Sequence, residues 1–201
     1  DYIRVYLLKS MQLMLVLMVS GLLQSAFANE GLITQVAQQI EEELKARVGI
    51  AVLDVGSKEN WGYNSDDRFP MNSTFKVFAC AALLAYDEAG SVVTHQKVRI
   101  KESELLSYSP VTQAWVGQEI TLGELCSATM RTSDNTAANK ILEALGGPDA
   151  ITAFLRSIGD EVTRLDRWEP DLNEAIPTDI RDTTTPAASV STLYQLLIGD
   201  A

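Results

Sequence analysis

The distribution of apolar residues along the chain predicts one fully buried helix and several amphipathic ones. Between Phe75 and Ala85 nearly every residue is apolar, and a helix that is apolar on all sides lies inside a protein. Gly90 supplies a stop signal, so we predict this helix over Phe75–Glu88. Apolar residues at four-residue steps in an acidic, Gln-rich segment predict a surface helix over Leu32–Arg47.

Shorter apolar runs predict the remaining elements. Residues 48–55 and 60–64 flank a Gly-Ser turn, which predicts a β-hairpin. Residues 97–101 alternate and predict a short strand, whereas residues 160–186 have no clear period. A loop of that length inside a compact chain is functional or disordered. Four later helices are predicted from caps, proline and glycine, over residues 121–132, 135–145, 150–158 and 186–197.

The first 28 residues have the features of an export signal. Arg4 and Lys9 precede an uncharged apolar stretch, and Ala26-Phe27-Ala28 has the small-x-small pattern that signal peptidase cleaves. We therefore predict a signal peptide over residues 1–28, a secreted, periplasmic protein, and no stable membrane anchor after cleavage. The alternative is a retained membrane anchor, which the short apolar core disfavours.

Composition limits the possible functions. The formal net charge of −11 argues against nucleic acid and anionic membranes as partners. The one histidine, His95, lies in a polar stretch and is predicted to be a surface residue, which argues against a Ser-His-Asp triad. One histidine and two cysteines do not make an ordinary zinc site, and no nucleotide-binding glycine motif occurs. We expect a monomer with no metal and no cofactor.

Ser73 and Lys76 form the first candidate for chemistry. Lys76 is the one charged residue in the apolar run, and Ser73 lies three positions before it, about one turn away on the same face. Burial lowers the pKa of an ammonium, and a partly neutral lysine can take a proton from a neighbouring hydroxyl. This pattern predicts a serine nucleophile activated by lysine. The alternative is an ordinary serine beside a lysine whose ammonium reaches solvent.

Two further polar motifs follow the Ser-Lys pair. Ser133-Asp134-Asn135 lies in a break between two predicted helices, and Glu169 lies in the predicted long loop, within the segment from Arg167 to Asn173. Taken alone, the first motif is a common helix cap and the second a solvated loop. The three motifs in this order are much less probable by chance than any one of them.

Together these motifs resemble those of class A serine β-lactamases, for which S-x-x-K and S-D-N are signatures. The segment from Arg167 to Asn173 resembles that family's Ω loop, and residues 133–139 and 181–186 also fit its pattern. The sequence around Cys126 and the Ω loop is most similar to the carbenicillin-hydrolysing group. The resemblance begins near Val48 and implies an α/β (α+β) fold of the β-lactamase/transpeptidase type. In that fold an all-helical domain lies beside an antiparallel sheet with flanking helices.

The resemblance also implies a domain organisation. Residues 29–68 correspond to the N-terminal part of the α/β domain, a helix and two strands. Residues 69–201 correspond to the mainly helical domain with the nucleophile helix, the S-D-N loop and the Ω loop. The third family motif, Lys-Thr-Gly or Arg-Thr-Gly, does not occur, and neither do its strands nor the C-terminal helix. We therefore expect an incomplete sheet and a chain that by itself neither folds fully nor turns over substrate.

By this resemblance, the substrate is a β-lactam antibiotic of the penicillin type. Ser73 attacks its carbonyl, Lys76 and Glu169 are rival bases for that step, and Ser133 passes a proton to the departing nitrogen. Glu169 would then activate the water that hydrolyses the acyl-enzyme. The expected substrate-binding residues are Asn135, Asn173 and Tyr108, and the expected structural residues are Asn139, Arg167, Asp182, Cys80 and Cys126.

Four local features are also expected. Arg167 and Asp182 would form an ion pair that closes the Ω loop, and the alternative is an exposed pair of little energetic weight. Export would place Cys80 and Cys126, the only two cysteines, in an oxidising compartment where they can pair, and the alternative is two buried thiols. By the resemblance, they also occupy positions where many members have a disulfide. The Glu169–Pro170 bond is a candidate cis peptide. Thr178 replaces a glycine common in the loop, which changes the loop path if its φ is positive.

Three other functions remain open at this point. A D-Ala-D-Ala peptidase or transpeptidase shares the Ser-Lys chemistry but lacks Glu169 and Asn173. A penicillin-binding sensor would be acylated at Ser73 without hydrolysing the adduct. An inactive fragment is suggested by the absent third motif.

Overall fold

A computed structural model describes residues 31–199, and the predicted signal peptide lies outside them. Helix α1 covers residues 31–44 of this range, so it ends three residues before the predicted boundary at Arg47. The helix ends there because Lys45 adopts a left-handed conformation with φ of 50°. The Glu41 carboxylate then accepts a hydrogen bond of 2.7 Å from the backbone N–H of Val48, which turns the chain toward the first strand.

Within residues 31–199, six short strands form three antiparallel pairs. The predicted hairpin is present, with β1 at Ile50–Leu53 paired to β2 at Asn60–Tyr63. The predicted strand at 97–101 is shorter, and its partner was not predicted because a three-residue run has no recognisable period. The third pair, between residues 69–70 and 183–184, was not predicted for the same reason. The other strands are β3 at Phe69–Pro70, β4 at Lys97–Arg99, β5 at Glu119–Thr121 and β6 at Thr183–Thr184, pairing β3 with β6 and β4 with β5.

The pairing of β3 with β6 defines where the long loop begins and ends in space. Phe69 lies opposite Thr184 in this pair, so the segment just before Ser73 is hydrogen-bonded to the end of the predicted Ω loop. The backbone N–H of Met71 continues the contact by donating to the carbonyl of Asp182 at 2.9 Å. The turn that carries Ser73 and the loop are therefore parts of one hydrogen-bonded unit.

The helices surround one buried helix, as predicted. Helix α2 packs against α3, α4 and α5, and its Phe75, Ala79 and Leu83 side chains are fully buried. Helix α5 begins two residues before its predicted start because Pro148 occupies the first turn, where its missing N–H has no cost. The bounds are α2 Phe75–Glu88, α3 Leu122–Thr132, α4 Asn135–Leu145, α5 Pro148–Ser157 and α6 Pro186–Leu197.

The disulfide expected between Cys80 and Cys126 is confirmed. It joins the middle of α2 to α3 across a Cα–Cα distance of 5.7 Å. Because α2 carries Lys76 and α3 ends at Ser133, the bond fixes the two helices that supply opposite sides of the candidate site. His95 is exposed, as predicted. Within residues 31–199, no helix has the length and apolar character needed to cross a membrane.

Candidate functional site

The nucleophile candidate lies on a short 3-10 turn, Asn72–Thr74, that leads directly into α2. Ser73 is exposed on this turn, whereas Lys76 in the first turn of α2 is only 2% exposed. Helical geometry brings the two side chains together, and Lys76 Nζ lies 3.1 Å from Ser73 Oγ. The alternative of a lysine that reaches solvent is therefore wrong.

Ser133 lies at the C-terminal end of α3 and faces the Ser-Lys pair. It takes a left-handed conformation with φ of 61°, which ends the helix and turns the side chain toward α2. Lys76 Nζ donates to the Ser133 carbonyl at 2.8 Å and contacts its Oγ at 3.0 Å. Ser133 Oγ is also 2.9 Å from Ser73 Oγ, so the two hydroxyls and the amine form a closed triangle of hydrogen bonds.

Asp134 supports this arrangement without touching it. Its side chain is fully buried, caps α4 by accepting from the backbone N–H of Ala137, and accepts from the backbone of Val111 and Thr112. The sequence identifies Asp134 only as part of the Ser-Asp-Asn motif. The helix-capping preference of aspartate just before α4 was the signal that identifies its structural role.

Glu169 approaches the same lysine from the Ω loop. Its side chain is buried, and Oε1 lies 3.1 Å from Lys76 Nζ. Asn173 Nδ2 donates to the other oxygen, Oε2, at 2.7 Å. Asn139 on α4 holds the Glu169 backbone with two hydrogen bonds of 2.9 and 3.0 Å, and the predicted cis Glu169–Pro170 bond is present.

The Oε1 atom of Glu169 is the one buried side-chain polar atom, among the described residues, without a hydrogen bond of good geometry. Its 3.1 Å contact with Lys76 is an ion pair between two buried groups. Buried carboxylate oxygens normally accept hydrogen bonds, so an unsatisfied one beside the Lys76 amine is a sign of function.

Lys76 has more acceptors than protons. Five oxygen atoms, from Ser73, Ser133, Asn135 and Glu169, lie within 3.1 Å of its Nζ, whereas an ammonium has three protons. Burial lowers the pKa of Lys76 below its ordinary value, although the charges of Glu169 and Asp134 partly oppose this shift. A neutral amine here keeps two donors and gains a lone pair that can accept the Ser73 proton.

The base of the Ω loop is held by a buried charge pair. Asp182 is fully buried and accepts from the backbone N–H groups of Asp166 and Arg167 and from Arg167 Nε, the last at 2.5 Å. The alternative of an exposed pair is therefore wrong. Thr178 has a φ of 76°, so the position keeps the left-handed conformation that suits glycine.

The residues expected to bind substrate contact Lys76, Glu169 or one another. Asn135 Oδ1 is 2.7 Å from Lys76 Nζ, and its Nδ2 donates to the carbonyl of Ser107. The backbone N–H of Asn135 donates to the carbonyl of Tyr108, whose side chain is 66% exposed. Asn173 lies on the far side, against Glu169. Within residues 31–199, no cluster of His, Cys, Asp and Glu side chains could hold a metal ion.

Comparison with known proteins agrees with this geometry. The model of the β-lactamase enzyme family matches residues 32–201. The chain is 55% identical to β-lactamase CARB-3 and 54% identical to β-lactamase PSE-4, both from Pseudomonas aeruginosa, over 87% of this chain. A solved structure of a class A β-lactamase, the last common ancestor of Gram-negative bacteria (GNCA4), superposes with a TM-score of 0.81 at 53% identity, covering 83% of this chain and 64% of that one.

The chain belongs to the β-lactamase enzyme family. The resemblance to class A serine β-lactamases, and to their carbenicillin-hydrolysing group, is confirmed, as is the fold class of helices with small antiparallel sheets. The chain spans 62% of the length of CARB-3 and of PSE-4.

Proposed function

We propose that the full-length protein hydrolyses β-lactam antibiotics of the penicillin type and so confers resistance to them. The observation that carries this proposal is the contact of one buried lysine with two hydroxyls and a carboxylate, at 3.0–3.1 Å from Ser73, Ser133 and Glu169. Such a constellation can make and then hydrolyse a serine ester. Membership of the β-lactamase enzyme family gives the chemical class of the substrate.

In the first step, Ser73 Oγ attacks the β-lactam carbonyl carbon and forms an ester as the ring C–N bond breaks. Neutral Lys76 takes the Ser73 proton, because its amine contacts Oγ directly and burial lowers its pKa. Ser133 gives its proton to the departing ring nitrogen and is reprotonated through Lys76 Nζ, 3.0 Å away. The Ser73 backbone N–H is one donor to the developing oxyanion.

In the second step, water attacks the ester carbonyl and releases Ser73. Glu169 is the general base, since its Oε1 is buried beside the Ser-Lys pair and has a free lone pair, whereas Asn173 holds Oε2. A carboxylate fixed at both its backbone and one oxygen is preorganised for this task. Asn135 and Tyr108 bind the substrate's side chain at the opposite wall.

We further propose that the protein is exported to the periplasm by a signal peptide over residues 1–28 and acts there as a monomer without a membrane anchor. The disulfide between Cys80 and Cys126 supports this location, because such bonds persist in oxidising compartments.

The test is to add benzylpenicillin to the full-length protein and follow the intact mass and the released product with time. We expect a short-lived adduct on Ser73 and many equivalents of hydrolysed penicillin, with neither in Ser73→Ala. A lasting adduct on the wild type would instead identify a sensor or a peptidase. No adduct on a folded wild type would refute the assignment of Ser73 as nucleophile.

A further inference from the structure

Helix α4 has two neighbouring rows of polar side chains that point to different parts of the molecule. Asn135 and Asn139, one turn apart, contact Lys76 and the Glu169 backbone in the reaction centre. The neighbouring row consists of Thr136 and Lys140, each one position after a residue of the first row. These two side chains point instead toward the segment that carries Tyr108. Helix α4 therefore contacts both the reaction centre and the loop that carries Tyr108.

We define the Tyr108 loop as residues 101–111, which follow strand β4. Thr136 Oγ1 accepts from the backbone N–H of Leu106 at 2.9 Å and contacts Ser109 Oγ at 2.7 Å. Two residues of this loop in turn hold Asn135, because the carbonyls of Ser107 and Tyr108 accept from its side-chain and backbone N–H groups, each at 3.1 Å. A shift of the loop would therefore turn the Asn135 amide.

The loop is anchored at its start by a charge pair that the catalytic steps do not use. Lys140 is 8% exposed, and its Nζ lies 2.8 Å from Glu104 Oε2. Hydrogen bonds from Lys140 and Lys101 outweigh burial and lower the pKa of Glu104 to about 2, so this carboxylate is charged at neutral pH. Lys140 also contacts Glu143 at 2.9 Å, but Glu143 is on the same helix and does not reach the loop.

We propose that Lys140, acting through Glu104, is a positioning residue for acylation: it holds the Tyr108 loop so that Ser107 and Tyr108 keep the Asn135 amide aligned with the substrate's side-chain amide. This inference rests on the proposed function. It differs from a purely structural role because it predicts an effect that depends on the substrate's side chain.

The test compares acylation of Ser73 by benzylpenicillin and by 6-aminopenicillanic acid, which has the same ring system without the side-chain amide. In the full-length protein, we expect Glu104→Gln and Lys140→Met to slow acylation by benzylpenicillin about tenfold, since a misplacement of about 1 Å can cost about 100-fold and the shift expected here is smaller. Acylation by 6-aminopenicillanic acid should slow less, because this substrate has no side-chain amide and depends on Asn135 only through its contact with Lys76. Lys140→Arg should restore most of the benzylpenicillin rate, and Glu143→Gln, the matched control, should behave as wild type.

Equal losses with both substrates, or the same loss in Glu143→Gln, would overturn the proposal. Amide hydrogen exchange gives a second readout that needs no substrate. Faster exchange at Leu106 and Asn135 in Lys140→Met, with no change in Glu143→Gln, supports the anchoring, whereas unchanged exchange overturns it. If wild-type Ser73 takes up neither penicillin, the proposed function fails, and the exchange rates still decide whether Lys140 holds the loop.

Discussion

Replacing Asp182 with asparagine should loosen the Ω loop and slow deacylation more than acylation. Asn keeps the shape of Asp and an oxygen for the two backbone N–H groups that Oδ1 now accepts from. It removes the carboxylate oxygen that contacts Arg167 Nε and can place an amide N–H against that guanidinium. Arg167, whose side chain is 15% exposed, would then keep only Glu174 as a charged partner.

The size of the effect follows from these contacts. Removing one partner of a buried ion pair costs about 3–5 kcal/mol, and the remaining Glu174 contact favours the lower end, about 3 kcal/mol. For a protein of this size, that loss corresponds to a fall in melting temperature of roughly 6–12 °C. Because Glu169 lies on the loop and Ser73 does not, we expect deacylation to slow more than acylation.

Asp179→Asn is the matched control, since it makes the same chemical change in the same loop. Asp179 and its partner Arg181 have side chains 18% and 47% exposed, whereas Asp182 is 1% exposed, so the loss of stability should be much smaller. Both variants would be measured by urea unfolding and by intact mass after mixing with benzylpenicillin. If Asp182→Asn loses no more stability than Asp179→Asn, the reasoning about the buried pair is wrong.

Three further outcomes are expected. Replacing both Cys80 and Cys126 with serine should lower the free energy of unfolding in urea by about 4 kcal/mol, because the disulfide closes a loop with a sequence separation of 46; a variant as stable as the oxidised protein would contradict this. Thr178→Gly should raise stability by about 1 kcal/mol in the same assay by relieving a left-handed φ of 76°. Thr178→Ala is its control, and an equal gain there would contradict the φ argument. The acylation rate measured by stopped flow should rise with pH and level off below the ordinary pKa of lysine, because burial lowers the pKa of Lys76 and the neutral amine is the active form. An acylation rate that falls as the pH rises toward the ordinary pKa of lysine would contradict this expectation.

Features with a local sequence signal were predicted correctly. The buried helix α2 follows from its uninterrupted apolar run, and the Ser73–Lys76 contact follows from three-residue spacing at the start of that helix. The disulfide was expected from the export signal as well as from the family resemblance, and the cis Glu169–Pro170 bond from the proline that follows Glu169.

Contacts distant in sequence were predicted where the family resemblance covers them, as for Arg167 with Asp182, and were missed elsewhere. The strand pair of Phe69–Pro70 with Thr183–Thr184 is too short to have a period, and it exists because the loop between them folds back. Glu104 and Lys140 are ordinary surface-type residues in the sequence, and only the fold places Lys140 in a nearly buried position against the loop. Lys45 ended α1 early through a backbone conformation that lysine rarely adopts.

Lys76 is proposed as the base for acylation and Glu169 as the base for deacylation. The lifetime of the acyl-enzyme tests this assignment most directly. Full-length wild type and Glu169→Ala would be mixed with benzylpenicillin, separated from free drug after a short interval, and followed by intact mass. We predict that Ser73 is acylated in both proteins and that the adduct persists only in Glu169→Ala. An adduct that disappears equally fast in both proteins would contradict the assignment of Glu169 as the base for deacylation.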